Sequence, residues 1–203
     1  NTITSTTKIY VDAASGDDTN DGTSWGTAFA TLQQALSVAT SNDEIWIAAG
    51  TYTPGSSRGT SFTVTGDQDG LEIYGGFAGT ETNRDERDPA ANPAILSGDL
   101  NGDDGPDTDG DGIPDSGRGE NAYHVLVFDG GTGIGPNVGP NVTTATVLDG
   151  VTVTGGNANG SGPQNEGGGL YCDGAGGGHE CSPTLRRIAF TGNTATNLVP
   201  RQP

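Results

Sequence analysis

The chain has 203 residues, room for one domain or two small ones, and sets 26 acidic side chains against 8 basic ones for a net charge of −18. That balance excludes a nucleic-acid binder, which needs a basic footprint to neutralise phosphates, and it disfavours anionic membrane surfaces. No apolar run approaches the ~20 residues of a membrane span, and no heptad or long helical pattern supports a coiled coil or helical bundle.

Glycine and proline, at 36 and 11 residues, approach the combined share of disordered chains, about 25–30%. The apolar residues nevertheless fall in short β-type clusters: Ile45-Trp46-Ile47, Leu71-Glu72-Ile73-Tyr74 and Val125-Leu126-Val127-Phe128. Gly, Asn, Asp and Pro separate them. The pattern predicts an all-β protein of many short strands joined by tight turns.

A strand is expected over residues 7–11, followed by a polar turn stretch over 12–26. Thr31 and Gln34 then fit a capping box, and Leu32, Ala35, Leu36 and Ala39 recur at helical spacing on one face. A helix is expected over about 32–40, ending at the polar run Thr40-Ser41-Asn42-Asp43. Beyond it, apolar segments recur near 45, 62, 72, 95, 125, 148, 170 and 187, as in a solenoid with irregular loops. One repeat is explicit: residues 147–155 align with residues 184–192 at an offset of 37, with Leu, a β-branched or aromatic residue, Thr and Gly in register. Two stacked rungs with a loop between them would give this pattern.

The opening Tyr10-Val11-Asp12, Asp21-Gly22-Thr23-Ser24-Trp25 and Ala28-Phe29-Ala30-Thr31-Leu32-Gln33-Gln34-Ala35-Leu36 resembles the N-terminal portion of secreted bacterial right-handed parallel β-helix proteins of the pectin-lyase-like superfamily. So do Asp43-Glu44-Ile45-Trp46-Ile47, Gly75-Gly76-Phe77, Leu96-Ser97-Gly98-Asp99, Gly167-Gly168-Gly169-Leu170-Tyr171 and Phe190-Thr191-Gly192-Asn193-Thr194-Ala195. The resemblance covers nearly the whole chain. It implies a short right-handed parallel β-helix with an N-terminal capping α-helix, and a short or truncated member of the group. The expected organisation is one domain over 1–203. It comprises a first strand and capping helix (1–43), first rungs (44–98), an Asp-rich insertion (99–120) and later rungs (121–203).

That insertion carries the strongest chemical signal, with seven aspartates within residues 99–115. Asp107, Asp109, Asp111, Gly112 and Asp115 have the spacing of positions 1, 3, 5, 6 and 9 of an EF-hand-type loop, with the Ile113 carbonyl as a further ligand. Ca²⁺ takes oxygens, and alternate residues of a tight turn can point carboxylates inward. Arg118 stands where the bidentate Glu is expected, and Glu120 is a substitute two residues late. The loop resembles the Asp-rich calcium loops of dockerins and thrombospondin type 3 repeats. A second calcium site would use Asp99, Asn101 and Asp103. The alternative is a solvated acidic loop with no cation. Asp17-Asp18-Thr19-Asn20-Asp21-Gly22 reads as an Asx-rich turn rather than a further calcium site.

Cys172 and Cys181 enclose a Gly-rich loop. A disulfide is the favoured reading; the rival, a metal site with His179, lacks a fourth ligand. The cysteine pair, the single lysine Lys8, the absence of methionine and the acidic excess fit an oxidising extracellular or cell-surface setting. Asn1 reads as a mature or trimmed start, and Leu198-Val199-Pro200-Arg201 matches a protease tag site.

Catalytic signals are thin. The resemblance implies a carboxylate cluster, or calcium with an Arg or Lys base. Asp129, Asp149 and Asp173 are the carboxylates placed near strands, and His124 reads as packed or surface-facing. No nucleophile elbow or phosphate loop is present. The expected function is a non-catalytic secreted or surface-displayed structural or adhesive module stabilised by Ca²⁺. Its expected partners are other copies of itself, added head to tail through residues 2–11 into a filament, or further rungs of a longer chain, or a surface polysaccharide. Neither nucleic acid nor membrane insertion is expected. The different-class alternative is a polysaccharide lyase or glycoside hydrolase.

Overall fold

The computed structural model describes residues 6–131, 141–174 and 180–197. Fourteen strands follow in chain order. The first seven are β1 (Lys8–Val11), β2 (Glu44–Ala48), β3 (Gly50–Tyr52), β4 (Phe62–Thr65), β5 (Glu72–Phe77), β6 (Ala94–Ser97) and β7 (Leu126–Asp129). The rest are β8 (Val147–Asp149), β9 (Val151–Thr154), β10 (Asn157–Ala158), β11 (Leu170–Asp173), β12 (Thr184–Arg186), β13 (Ala189–Thr191) and β14 (Thr194–Ala195). Each apolar segment read from the sequence beyond the helix coincides with one or two of them.

The strands pair in parallel within four sheets, ordered β1-β2-β5-β8-β12, β3-β6-β9-β13, β4-β7-β11 and β10-β14. Their register explains the apolar pattern. Ile9, Ile45, Ile73, Leu148 and Leu185 stand opposite one another along the first sheet. Tyr52, Leu96, Val153 and Phe190 do so along the second, and Val64, Phe128 and Cys172 along the third. Except for Leu185 and Phe190 at their ends, these columns meet in one core. The chain alternates faces with period 2, so each column stays apolar only while register holds.

The layout differs from the expected β-helix. Among the described residues the strands divide among several separate parallel sheets beside a single α-helix and four 3-10 turns, a mixed α/β-like layout rather than a clear solenoid. Spacing gives the physical reason. Paired residues are 36 apart between β1 and β2, 28 between β2 and β5, 75 between β5 and β8 and 37 between β8 and β12. A coil of like turns requires a steady period, and the one repeat visible in the sequence fixes only its own two copies. There the reading was literal. Val147 stands opposite Thr184, Val153 opposite Phe190 and Asn157 opposite Thr194, all at the offset of 37.

The helix α1 (Leu32–Val38) buries Leu32, Ala35 and Leu36 against β1 and β4. Thr31 Oγ1 accepts the Gln34 N–H at 3.1 Å, satisfying one of the orphan donors of the first turn. The helix ends earlier than its apolar spacing predicts because Ala39 has already turned to extended backbone. The free edge of β1 is covered as well: Tyr10 N donates to Gly22 O, Phe29 N to Tyr10 O and Asp12 N to Phe29 O. Of the segment expected to add to a neighbouring copy, Tyr10 and Val11 are thus paired on both sides, and residues 2–5 lie outside the described residues. At the opposite side of the sheets Leu185 and Phe190 are exposed.

A second, smaller cluster covers the outer face of the first sheet. Trp46 stacks on Phe77 with ring centroids 4.5 Å apart, and Tyr10 and Trp25 meet edge to face at 4.8 Å. Beside it runs a buried ion pair. Arg87 Nη2 lies 3.0 Å from Asp149 Oδ2, and the two side chains are 5% and 3% exposed. Arg187, 60% exposed, adds a 2.8 Å contact to Asp149 Oδ1. The glycine run at 167–169 has a packing cause. Gly167 sits at φ 56, and a Cβ on Gly168 would fall on the Thr194 carbonyl oxygen.

Replacing Asp149 with Asn leaves a guanidinium buried without its charge partner and should cost about 3–5 kcal/mol in denaturant unfolding. Arg187→Ala, which removes the exposed partner alone, should cost about 0–1 kcal/mol. Burial by itself would raise the Asp149 carboxyl, but Arg187 and Arg87 outweigh it and hold it below the usual range. A depressed carboxylate contributes stability in full above its unfolded value, about 3.9, and loses it as pH falls through the folded value. The acid limb of the stability curve should therefore flatten in Asp149→Asn.

Candidate metal centres on the acidic loop

The loop from Asp99 to Asn121 leaves the second sheet after β6 and returns before β7. Its entry and exit are joined, since Ala122 N donates to Gly98 O at 2.8 Å. Within it, Asp side chains accept main-chain N–H groups a few residues on, the Asx turns that short acidic side chains favour. Asp107 Oδ1 accepts from Gly110 N at 2.7 Å and Oδ2 from Gly112 N at 2.8 Å. Asp109 Oδ1 accepts from Asp111 N, and Asp111 Oδ1 from Ile113 N. Asp115 Oδ2 accepts from Thr108 N at 2.9 Å and from the Thr108 hydroxyl. Gly110 and Gly112 sit at φ 83 and 84, the left-handed turns anticipated for Gly112.

The result is a convergence of Asp107, Asp109 and Asp115, whose nearest carboxylate oxygens all lie within 4.8 Å of one another on the exposed surface. The N–H groups of Gly110 and then Gly112 hold the Asp107 carboxyl below its ordinary value, so it stays charged. Asp111 accepts from Ile113 N and is not among the three. Ile113 itself lies with Phe190 and Asn193 around a shallow groove between the loop and β13.

A second convergence joins Asp99, Asp103 and Glu120, again with oxygens within 4.8 Å. Glu120 is thereby placed with this group rather than completing the Asp107 set. Asp99 Oδ1 accepts from Gly102 N and Asp103 N, and Oδ2 from Asp104 N. Asn101, read as a ligand of this site, is exposed. Desolvation, then the Asp99 and Asp103 charges, push the Asp104 carboxyl up against the pull of Asn121 and Arg118. Desolvation and the Asp103 and Asp99 charges push Glu120 up likewise. Arg118, which occupies the position of the expected bidentate Glu, has another task. Its Nη2 donates to Gly156 O, Gly192 O and Thr194 Oγ1, pinning the loop to the sheets.

The other candidates resolve differently. Asp17, Asp18 and Asp21 accept N–H groups of Thr19, Ala30, Thr31 and Thr23, so that stretch is turn chemistry. Cys172 and Cys181 form a disulfide, which removes both thiolates from any metal site; His179 lies outside the described residues. His124 is buried, stacked on Tyr171 at 4.9 Å with Nδ1 3.1 Å from Gly167 O. Asp149 is committed to Arg87 and Arg187, and Asp129 Oδ1 accepts from Gly131 N. Asp173 stands opposite Asp129 in the β7–β11 register. The groove that contains Arg187, Asp88 and Thr152 holds a carboxylate already taken by Ala90 N and Ala91 N.

No protein-family model, curated protein or solved structure matches the chain.

Cleaving the disulfide by Cys172→Ser and Cys181→Ser should cost about 2–3 kcal/mol on the chain-entropy account of a short closed loop. Denaturant unfolding of oxidised and substituted protein checks it. Intact mass should also show no alkylatable thiol in the native, unreduced chain.

Proposed function

We propose that the chain is a non-catalytic structural or adhesive module, secreted or displayed at the cell surface, whose long acidic loop is set by bound calcium. The convergence of Asp107, Asp109 and Asp115 carries this reading. Two like charges 4 Å apart repel by about 1 kcal/mol in bulk water and by about 4 kcal/mol at an effective dielectric of 20. Asx turns at Asp107 and Asp109, and the Thr108 N–H and hydroxyl at Asp115, hold three carboxylates at such distances, and these donors are neutral groups rather than cationic side chains. A hard cation that takes 6–8 oxygens at 2.3–2.6 Å offsets that repulsion, and oxygen-only ligands favour Ca²⁺ over softer metals. The disulfide supports an oxidising compartment, as does a surface so poor in lysine.

The non-catalytic reading is favoured over a lyase or hydrolase by how the sheet-borne charges are spent. Asp149 is held between Arg87 and Arg187, and Asp88 and Asp129 serve main-chain N–H groups. The convergent carboxylates lie instead on the loop.

Chelation should lower the melting temperature and speed proteolysis within residues 99–121. A native-state ligand stabilises by RT ln(1 + [L]/Kd), about 2.7 kcal/mol at a hundredfold excess over Kd. The double substitution Asp107→Ala, Asp109→Ala should reduce the chelator response. A melting curve indifferent to chelator overturns the calcium reading.

A further inference from the structure

The acidic loop re-enters the sheets at a group of oxygens of which its own turns satisfy those of Asp99 and leave Asp104 Oδ1, Glu120 Oε1 and Asn121 Oδ1 unpaired. Asp99, Asp103 and Glu120 converge within 4.8 Å, and Asp104 joins them through its N–H to Asp99 Oδ2 at 3.2 Å. Beneath them sits Asn121, 0% exposed. Its side chain is directed at this group: Nδ2 donates to Asp104 Oδ2 at 2.9 Å and to Gly155 O at 2.7 Å. Both partners are acceptors, which fixes the amide orientation and leaves Asn121 Oδ1 enclosed without a donor.

Two more enclosed oxygens share that condition, Asp104 Oδ1 and Glu120 Oε1. Each buried acceptor left unpaired costs about 1–3 kcal/mol, and a charged one more. The enclosed donor close by, Arg118 Nε, is a single N–H, and its Nη2 already serves Gly156, Gly192 and Thr194. One N–H cannot satisfy three acceptors and neutralise four carboxylates. Native interiors rarely carry such a run of unpaired groups without an ion or ordered water.

We propose that Asp99, Asp103 and Glu120 hold a second divalent cation of the calcium class, whose bound water serves the unpaired Asp104 Oδ1 and Asn121 Oδ1, and that it latches the loop onto the sheets. This centre is distinct from the exposed one at Asp107, Asp109 and Asp115, and it rests on the calcium reading above only for the kind of ion. It ties the loop to Gly155 through Asn121, whereas the exposed centre organises the loop tip alone. Its ligands come from both ends of the loop, so the ion bridges the outgoing and returning chain.

The test is ion stoichiometry of the full chain, stripped with chelator, then titrated with CaCl₂ by calorimetry and weighed by native mass spectrometry. Wild type should bind two ions. Glu120→Gln and Asp103→Asn, both at the latch, should each bind one, and the Asp107→Ala, Asp109→Ala protein should also keep one. Asp103 is exposed, so Asp103→Asn reads the site even where Glu120→Gln fails to fold. Two ions retained in both Glu120→Gln and Asp103→Asn overturn the inference. So does a single wild-type ion lost only from the Asp107→Ala, Asp109→Ala protein, which leaves the exposed centre standing. A single ion lost only from Glu120→Gln and Asp103→Asn upholds the latch and removes the exposed centre. No ion in wild type overturns both.

Discussion

The structure depends on parallel strands stacked so that like side chains stand over like. Neighbouring strands lie about 4.8 Å apart, close enough for each apolar residue to touch its counterpart on the next strand. Ile9 meets Ile45, Ile45 meets Ile73 and Ile73 meets Leu148. A slip by one residue would send Trp46 and Tyr74 inward and the isoleucines outward. The opposite face is therefore under constraint too, and there the same strands hold the Trp46–Phe77 stack and the Asp149–Arg87 pair. With both faces covered, the middle of the first sheet, from β2 to β8, is buried in the way parallel sheets require, while β12 stays largely exposed.

That constraint frees the connections. A strand must arrive in register, but the chain between two strands can be of any length, since closure entropy grows only slowly with loop size. Paired residues of β2 and β5 are 28 apart while those of β5 and β8 are 75 apart. The acidic loop uses this freedom. It carries most of its charge away from the apolar columns, and its side chains reach the sheets mainly through Arg118 and Asn121, which bond main-chain carbonyls.

Legibility in the sequence followed locality. Strand positions were visible because turn residues bracket β-branched runs, and the 37-residue register was visible because two copies lie close in the chain. The cysteine pair and the Asx turns at Asp17 and Asp21 were local as well. The layout was not legible, because unequal spacings leave the sheet order open. Nor was the meeting of Glu120 with Asp99, which arises when the chain returns on itself through the Gly98–Ala122 hydrogen bond. Trp46 and Asp149 were hidden for another reason. They lie on the face that a simple in/out alternation assigns to solvent, and the segment from Phe77 to Arg87 covers it.

The bond between Ala122 N and Gly98 O makes the acidic loop a detachable unit. Its two ends already sit side by side on the scaffold, so its length is not a dimension of the rest of the molecule. A shorter bridge, or a different loop of similar end spacing, could start and end at the same two residues provided it kept the anchors that Arg118 and Asn121 make to the sheets. The acidic segment is in that sense cargo carried by the sheets, and the same junction would serve as a graft point for displaying an unrelated sequence.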